Sequence, residues 1–198
     1  MVTAGKIREQ KVIITENQSK IKMTNFSQDQ VEKVGLLLIN SDRPLKERFR
    51  ALFTLKNIGG PLAIEWIAKA FSDESALLKH EVAYCLGQLQ DPLAIPILRD
   101  VLADNKREPI VRHEAAEALA AIGGDEVLDI LTKHSGDEVV EVRETCQLAL
   151  EMLEFRRKNN SVEGNMYGSV DPAPASKEQN VEKLKTDLLN TKLSLFER

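Results

Sequence analysis

The chain has 198 residues, of which 42% are hydrophobic and 29% charged, enough apolar surface to bury a core and enough charge for a wet surface. A formal net charge of −4 and a pI near 5.5 argue against nucleic-acid or membrane-surface partners. The longest purely apolar run, Leu36 to Ile39, is far too short to cross a bilayer.

In chain order, residues 1–22 lack the apolar centre of a secretory signal and are expected to be a disordered extension, so the chain is expected to be cytoplasmic. From there the apolar positions follow helical spacing. They predict one helix over 27–39, opened by a capping box of Ser27 with Gln30. Paired helices follow over 44–57, 61–72, 75–89, 92–103, 109–122, 125–134 and 138–156. Pro61 and Pro92 stand where a helix starts, a place at which proline forfeits no needed amide bond, and Asp91 is a plausible cap before Pro92. Glycines 59, 60, 123 and 124 fall at helix ends, whereas Gly87 lies inside its helix and points to a close helix–helix approach. No strand is expected.

The helices repeat. EVAYCLGQL (81–89) and EAAEALAAI (114–122) realign directly, RALFTLKNI (50–58) and TCQLALEML (145–153) less regularly, at a period of 31–33 residues. That period belongs to solenoids of helical hairpins, so the fold class is an all-α, HEAT-like α-α superhelix with four repeats over 23–156. Each unit carries a basic residue just before its apolar stripe: Arg48, Lys79, Arg112 and Arg143. Residues 157–176 turn rich in Asn, Ser, Gly and Pro and read as a flexible linker. Beyond it, 181–198 (VEKLKTDLLNTKLSLFER) aligns without gaps on 31–48 (VEKVGLLLINSDRPLKER), so 177–198 reads as the first helix of a second repeat domain.

Chemistry enters with two of the three histidines. His80-Glu81 and His113-Glu114 lie 33 residues apart at the same place in consecutive units, while the outer units carry Phe49-Arg50 and Glu144-Thr145 there. Equivalent helices stacked at about 8–10 Å can bring both pairs around one cation. A mixed imidazole and carboxylate set suits iron, manganese or zinc, with either glutamate able to support a histidine rather than bind directly. The competing reading is a solvated inner face on a non-catalytic HEAT-repeat scaffold that binds a protein partner. Glu117, one turn on, reads equally as a site residue or a solvated one, His134 as an exposed helix-end residue, and Trp66 and Tyr84 as packing residues. Cys85 and Cys146 have no CxxC partner and are expected to be buried, reduced thiols.

The runs RFRALFTLKNIGGPLAIEWIAKAF, LLKHEVAYCLGQLQDPLAIPILRDVL, EPIVRHEAAEALAAIG, VEVRETCQLALEMLE and SVDPAP resemble the first half and linker of the deoxyhypusine hydroxylases. The resemblance covers about residues 23–198. It implies a monomeric HEAT-like monooxygenase in which two halves, each with two His-Glu pairs, enclose a di-iron (Fe2+) centre. O2 would be the co-substrate, and the deoxyhypusine side chain of translation initiation factor five-A would be hydroxylated to hypusine. Carried over by position, His80, Glu81, His113 and Glu114 are the metal ligands, with no catalytic group beyond them. The third and fourth pairs would fall near positions 230 and 263, so this fragment alone is expected to load iron incompletely and not to turn over.

Overall fold

The structure, a computed structural model, describes residues 26–159 and 170–198. The expected extension over 1–22 and residues 160–169, half of the expected linker, lie outside these residues. Among the described residues every regular element is helical: α1 (Gln28–Ile39), α2 (Leu45–Ile58), α3 (Gly60–Lys69), α4 (Ala76–Leu89), α5 (Ile95–Ala103), α6 (Pro109–Ile122), α7 (Asp125–His134), α8 (Val140–Asn159) and α9 (Val181–Leu189). The fold class is the expected all-α, HEAT-like one. The chain divides into two compact units, 1–72 and 73–198.

Local chemistry sets the helix ends. Ser27 accepts from the Gln30 amide at 3.2 Å and the Gln30 side chain accepts from the Ser27 amide at 2.8 Å, the reciprocal box read from the sequence. Asp91 accepts from the Leu93 amide at 3.0 Å, but Pro92–Ala94 winds as a 3-10 turn before α5 begins. Ala70–Ser72 forms a second such turn, shortening the helix expected to reach residue 72. In the other direction α8 runs to Asn159, taking three residues from the expected linker. Its last turn holds Arg156, Arg157 and Lys158, cations that suit a helix C-terminus and let the helix continue.

In the first unit α1 packs on α2 and α3. Gly35 is buried against the Trp66 ring, and only glycine fits because a Cβ would come within 2.1 Å of that ring. That ring also carries the Lys69 ammonium 3.9 Å from its centroid. Trp66 is therefore a packing residue, as its pattern suggests. The same contact distinguishes α9 from α1. At the position matching Gly35 the later segment has Lys185, and none of the residues of α9 is buried. Its tail instead rests on α8, with Phe196 against Phe155 and Ser194 donating to Glu151 at 2.6 Å.

In the second unit α4 and α5 pack on α6, and α6 and α7 on α8. Val82, Cys85 and Leu86 of α4 and Ala115, Ala118 and Leu119 of α6 form the seam, all buried. Both cysteines are buried, and burial pushes the Cys146 thiol up to about 12.

The basic residue of each repeat closes the unit. Arg48 donates to the Leu38 carbonyl at 2.8 Å and Arg112 to the Leu102 carbonyl at 2.9 Å, so each satisfies an orphan carbonyl in the last turn of the helix ten residues earlier. In the second unit Lys79 reaches Glu108 at 2.6 Å and Arg112 reaches Asp137 at 2.6 Å, each tying one repeat to the loop before the next. Burial of these cations is tolerable because each is paired.

Gly87 sets how closely the seam can shut. A Cβ there would stand 2.6 Å from the Ala118 Cα, a backbone atom that cannot rotate aside. Alanine would gain about 1 kcal/mol of helix propensity, but pushing α4 from α6 costs about 1–3 kcal/mol. We expect Gly87→Ala to lower stability, read as a lower urea midpoint at unchanged slope. A variant at least as stable as the parent would show that the close approach is not required.

Candidate metal centre

Helices α4 and α6 each have 14 residues, and His80 and His113 each occupy the fifth position. Ser75 caps the start of α4 by accepting from the Leu78 amide at 3.2 Å, and Pro109 opens α6. The starts therefore set the register that the close Gly87–Ala118 seam then brings together. The two imidazole centroids lie 5.6 Å apart, with planes tilted by 47°.

His80, His113 and Glu114 each offer one ligand atom, all within 4.8 Å of one another. Ligands on one transition-metal ion, at bonds of roughly 2.0–2.2 Å, can stand at most about 4.4 Å apart. Closing that difference takes a small side-chain rotation.

Glu114 is buried and faces His80 Nε2 at 3.1 Å through Oε2. Glu81 is not one of the three that converge. Adjacent helical residues diverge by about 100°, and Glu81 meets His80 from the other side, with Oε1 at 3.3 Å from Nδ1. In that position its carboxylate can hold the Nδ1 proton and leave Nε2 as the nitrogen aimed inward.

The surroundings disfavour charge unless a cation is present. Burial raises the Glu114 carboxyl to about 8, with the neighbouring Glu117 and Glu81 carboxylates adding to the rise. Burial and the nearby His80 ring lower His113, partly opposed by Glu141. A neutral imidazole is the form that binds metal, and a carboxyl held uncomfortably in its charged state is one that a cation relieves. The residues present thus suit a borderline transition metal.

Glu117 is half-buried rather than solvated, and burial raises its carboxyl, with Asp171 adding to the rise and His80 opposing it. Tyr84 is half-buried, and burial raises its phenol. His134 stands apart at the end of α7, half-buried, with Nδ1 2.9 Å from the Ile130 carbonyl. A groove runs from Glu117 between α6 and α8, floored by Ala120, Leu148 and Met152 and edged by Val170, Asp171 and Pro172. The part of the later segment in this wall was not foreseen, because a long-range contact from an irregular stretch leaves no periodic signal.

A HEAT-repeat model matches residues 32–109, and a PBS lyase HEAT-like repeat model matches 111–137. Deoxyhypusine hydroxylase of Bos taurus is 55% identical over 174 residues, 87% of this chain and 57% of that protein. The Drosophila melanogaster deoxyhypusine hydroxylase is 56% identical over 87% of this chain and 58% of its own length. A solved structure of human deoxyhypusine hydroxylase in complex with glycerol superposes with a TM-score of 0.83 at 52% identity, covering 91% of this chain and 62% of that one. The chain thus spans somewhat more than half the length of the curated relatives it matches. It has the HEAT-like repeat fold and is similar in sequence to the deoxyhypusine hydroxylases.

Proposed function

We propose that this chain serves the hydroxylation of deoxyhypusine on translation initiation factor five-A in the cytoplasm, with His80, Glu81, His113 and Glu114 as its iron-binding set. The observation that carries the reading is the convergence of His80, His113 and Glu114 within 4.8 Å, on a chain 55% identical to a deoxyhypusine hydroxylase. Iron, when bound, would supply activation of O2: with two electrons from a reductant and two protons, one oxygen atom would enter a substrate C–H bond and the other would leave as water.

The chain's own residues orient and attract. Glu81 fixes the ring of His80 through Nδ1, and Glu114 supplies the buried carboxylate on the opposite side. The α6–α8 groove is lined by the carboxyls of Glu117 and Asp171 and by Arg156, which donates to the Ala120 carbonyl; the two carboxyls can partner the ammonium groups of a polyamine-like arm. Its apolar floor suits the methylene stretches between those charges.

Binding of the iron-loaded chain to the initiation factor, measured in deoxyhypusine-bearing and unmodified-lysine forms, tests the proposal. We expect the deoxyhypusine form to bind at least about tenfold tighter, a difference of about 1.4 kcal/mol. A non-catalytic scaffold would bind both forms equally, with or without iron, and that outcome would refute the assignment.

A further inference from the structure

Gln88 lies on α4, two turns beyond His80, and its side chain bonds to a residue 82 positions later in the chain. Its Nε2 donates to the Val170 carbonyl at 3.1 Å, and the Val170 amide donates to its Oε1 at 3.0 Å. A carboxamide that pairs both ways with one backbone residue imitates a rung of a β-ladder, and it satisfies both polar groups of Val170 where no helix or sheet does so. Val170, Asp171 and Pro172 then form one edge of the groove, beside the floor of Ala120, Leu148 and Met152.

We infer that Gln88 is a positioning residue whose paired hydrogen bonds to Val170 hold residues 170–172 as a fixed wall of the α6–α8 groove. Three features support a built device. The two bonds are directional: a shift of one residue would turn the paired groups away from Gln88, and a shift that brought Pro172 there would lose the amide donor. Pro172, two residues after Val170, has a fixed φ and stiffens the strap. The strap also carries Asp171, whose charge reaches Glu117 and Tyr84, both within one turn of a histidine-glutamate pair. Gln88 thereby links the helix bearing His80 to the far wall of the groove. The inference stands apart from the iron reading, since none of its contacts involves a proposed ligand.

The test uses the full chain with Leu148→Cys as a reporter of the groove, the native cysteines being buried. Thiol labelling under native conditions and amide exchange at Val170 are followed with Gln88, Gln88→Ala and Gln88→Glu. Losing both bonds is expected to raise labelling at position 148 and exchange at Val170 by roughly tenfold, the effect of one or two net hydrogen bonds. Gln88→Glu, which keeps the acceptor for the Val170 amide but loses the donor, is expected to fall between the two. Iron binding and the far-ultraviolet helical signal are expected to remain as in the parent. Unchanged labelling and exchange in Gln88→Ala would overturn the inference. So would an equal loosening of α4 itself, which would mark Gln88 as a general stabiliser of the helix.

Discussion

His113→Ala is expected to weaken Fe2+ binding by at least about a hundredfold, measured by anaerobic equilibrium dialysis against the parent chain. Loss of a residue that merely supports a ligand commonly costs 10–100-fold in metal affinity, and loss of a ligand itself costs at least as much. His80→Ala is expected to match it, because the two rings lie 5.6 Å apart and each is one of the three converging groups. Glu81→Ala should cost less, about tenfold, since its contact is with His80 Nδ1 rather than with the converging ligand atoms. His134→Ala is the internal control. Its ring is occupied at the end of α7, so binding should be unaffected, and an equal loss there would mean that iron is held by scattered surface groups.

The second large effect is on pH dependence without metal. The Glu114 carboxyl, raised to about 8 by burial and its acidic neighbours, holds its proton more tightly in the folded chain than in the unfolded one. Between its ordinary value of 4.5 and about 8 the unfolded state binds fewer protons at this site, so stability falls as pH rises across that range and levels off above it. His113 acts oppositely. Its lowered folded value means that protonation opposes folding below its ordinary value of 6.5, so it contributes loss only on the acid side. Above about 6.5 Glu114 therefore acts alone of the two. Metal-free stability is expected to drop on the order of 2 kcal/mol from about pH 6.5 to about pH 8.5. Glu114→Gln should flatten the drop, raise stability at the alkaline end and abolish iron binding. A divalent cation should reverse the drop in the parent only. Denaturant titrations at several pH values read all three. A parent whose stability rises across this interval would contradict the electrostatic account of the buried carboxyl.

The helices were legible because burial writes itself into sequence with a period. The 14-residue α4 and α6, the capping box at Ser27 and the recurring basic residues each follow from a local rule, and each stands where the pattern puts it. Gly87 was legible as an oddity: a glycine inside a helix needs a reason, and the Ala118 Cα at 2.6 Å is that reason. Gly35 gave no such signal in a run of leucines, since the ring it accommodates belongs to a residue 31 positions away.

At the site, matched register was enough to bring His80, His113 and Glu114 together, but not to sort the glutamates. That division depends on which side of its helix each faces. Glu114 turns into the seam beside α4, whereas Glu81 stays at the flank of its own histidine. The groove lay further from view. Its floor could be assembled from the small and apolar faces of α6 and α8, but its edge comes from a segment without regular structure. What fixes that edge is a single glutamine, a residue whose bonding is decided by whatever tertiary contact comes within reach.

Iron K-edge absorption of the Fe2+-loaded chain asks most directly whether these side chains share one ion. Two imidazole ligands plus carboxylate oxygen, with the imidazole scattering halved in His80→Ala and in His113→Ala, is the result expected here. An all-oxygen shell that neither substitution alters would show that the cation sits elsewhere, and the metal centre built from α4 and α6 would fall.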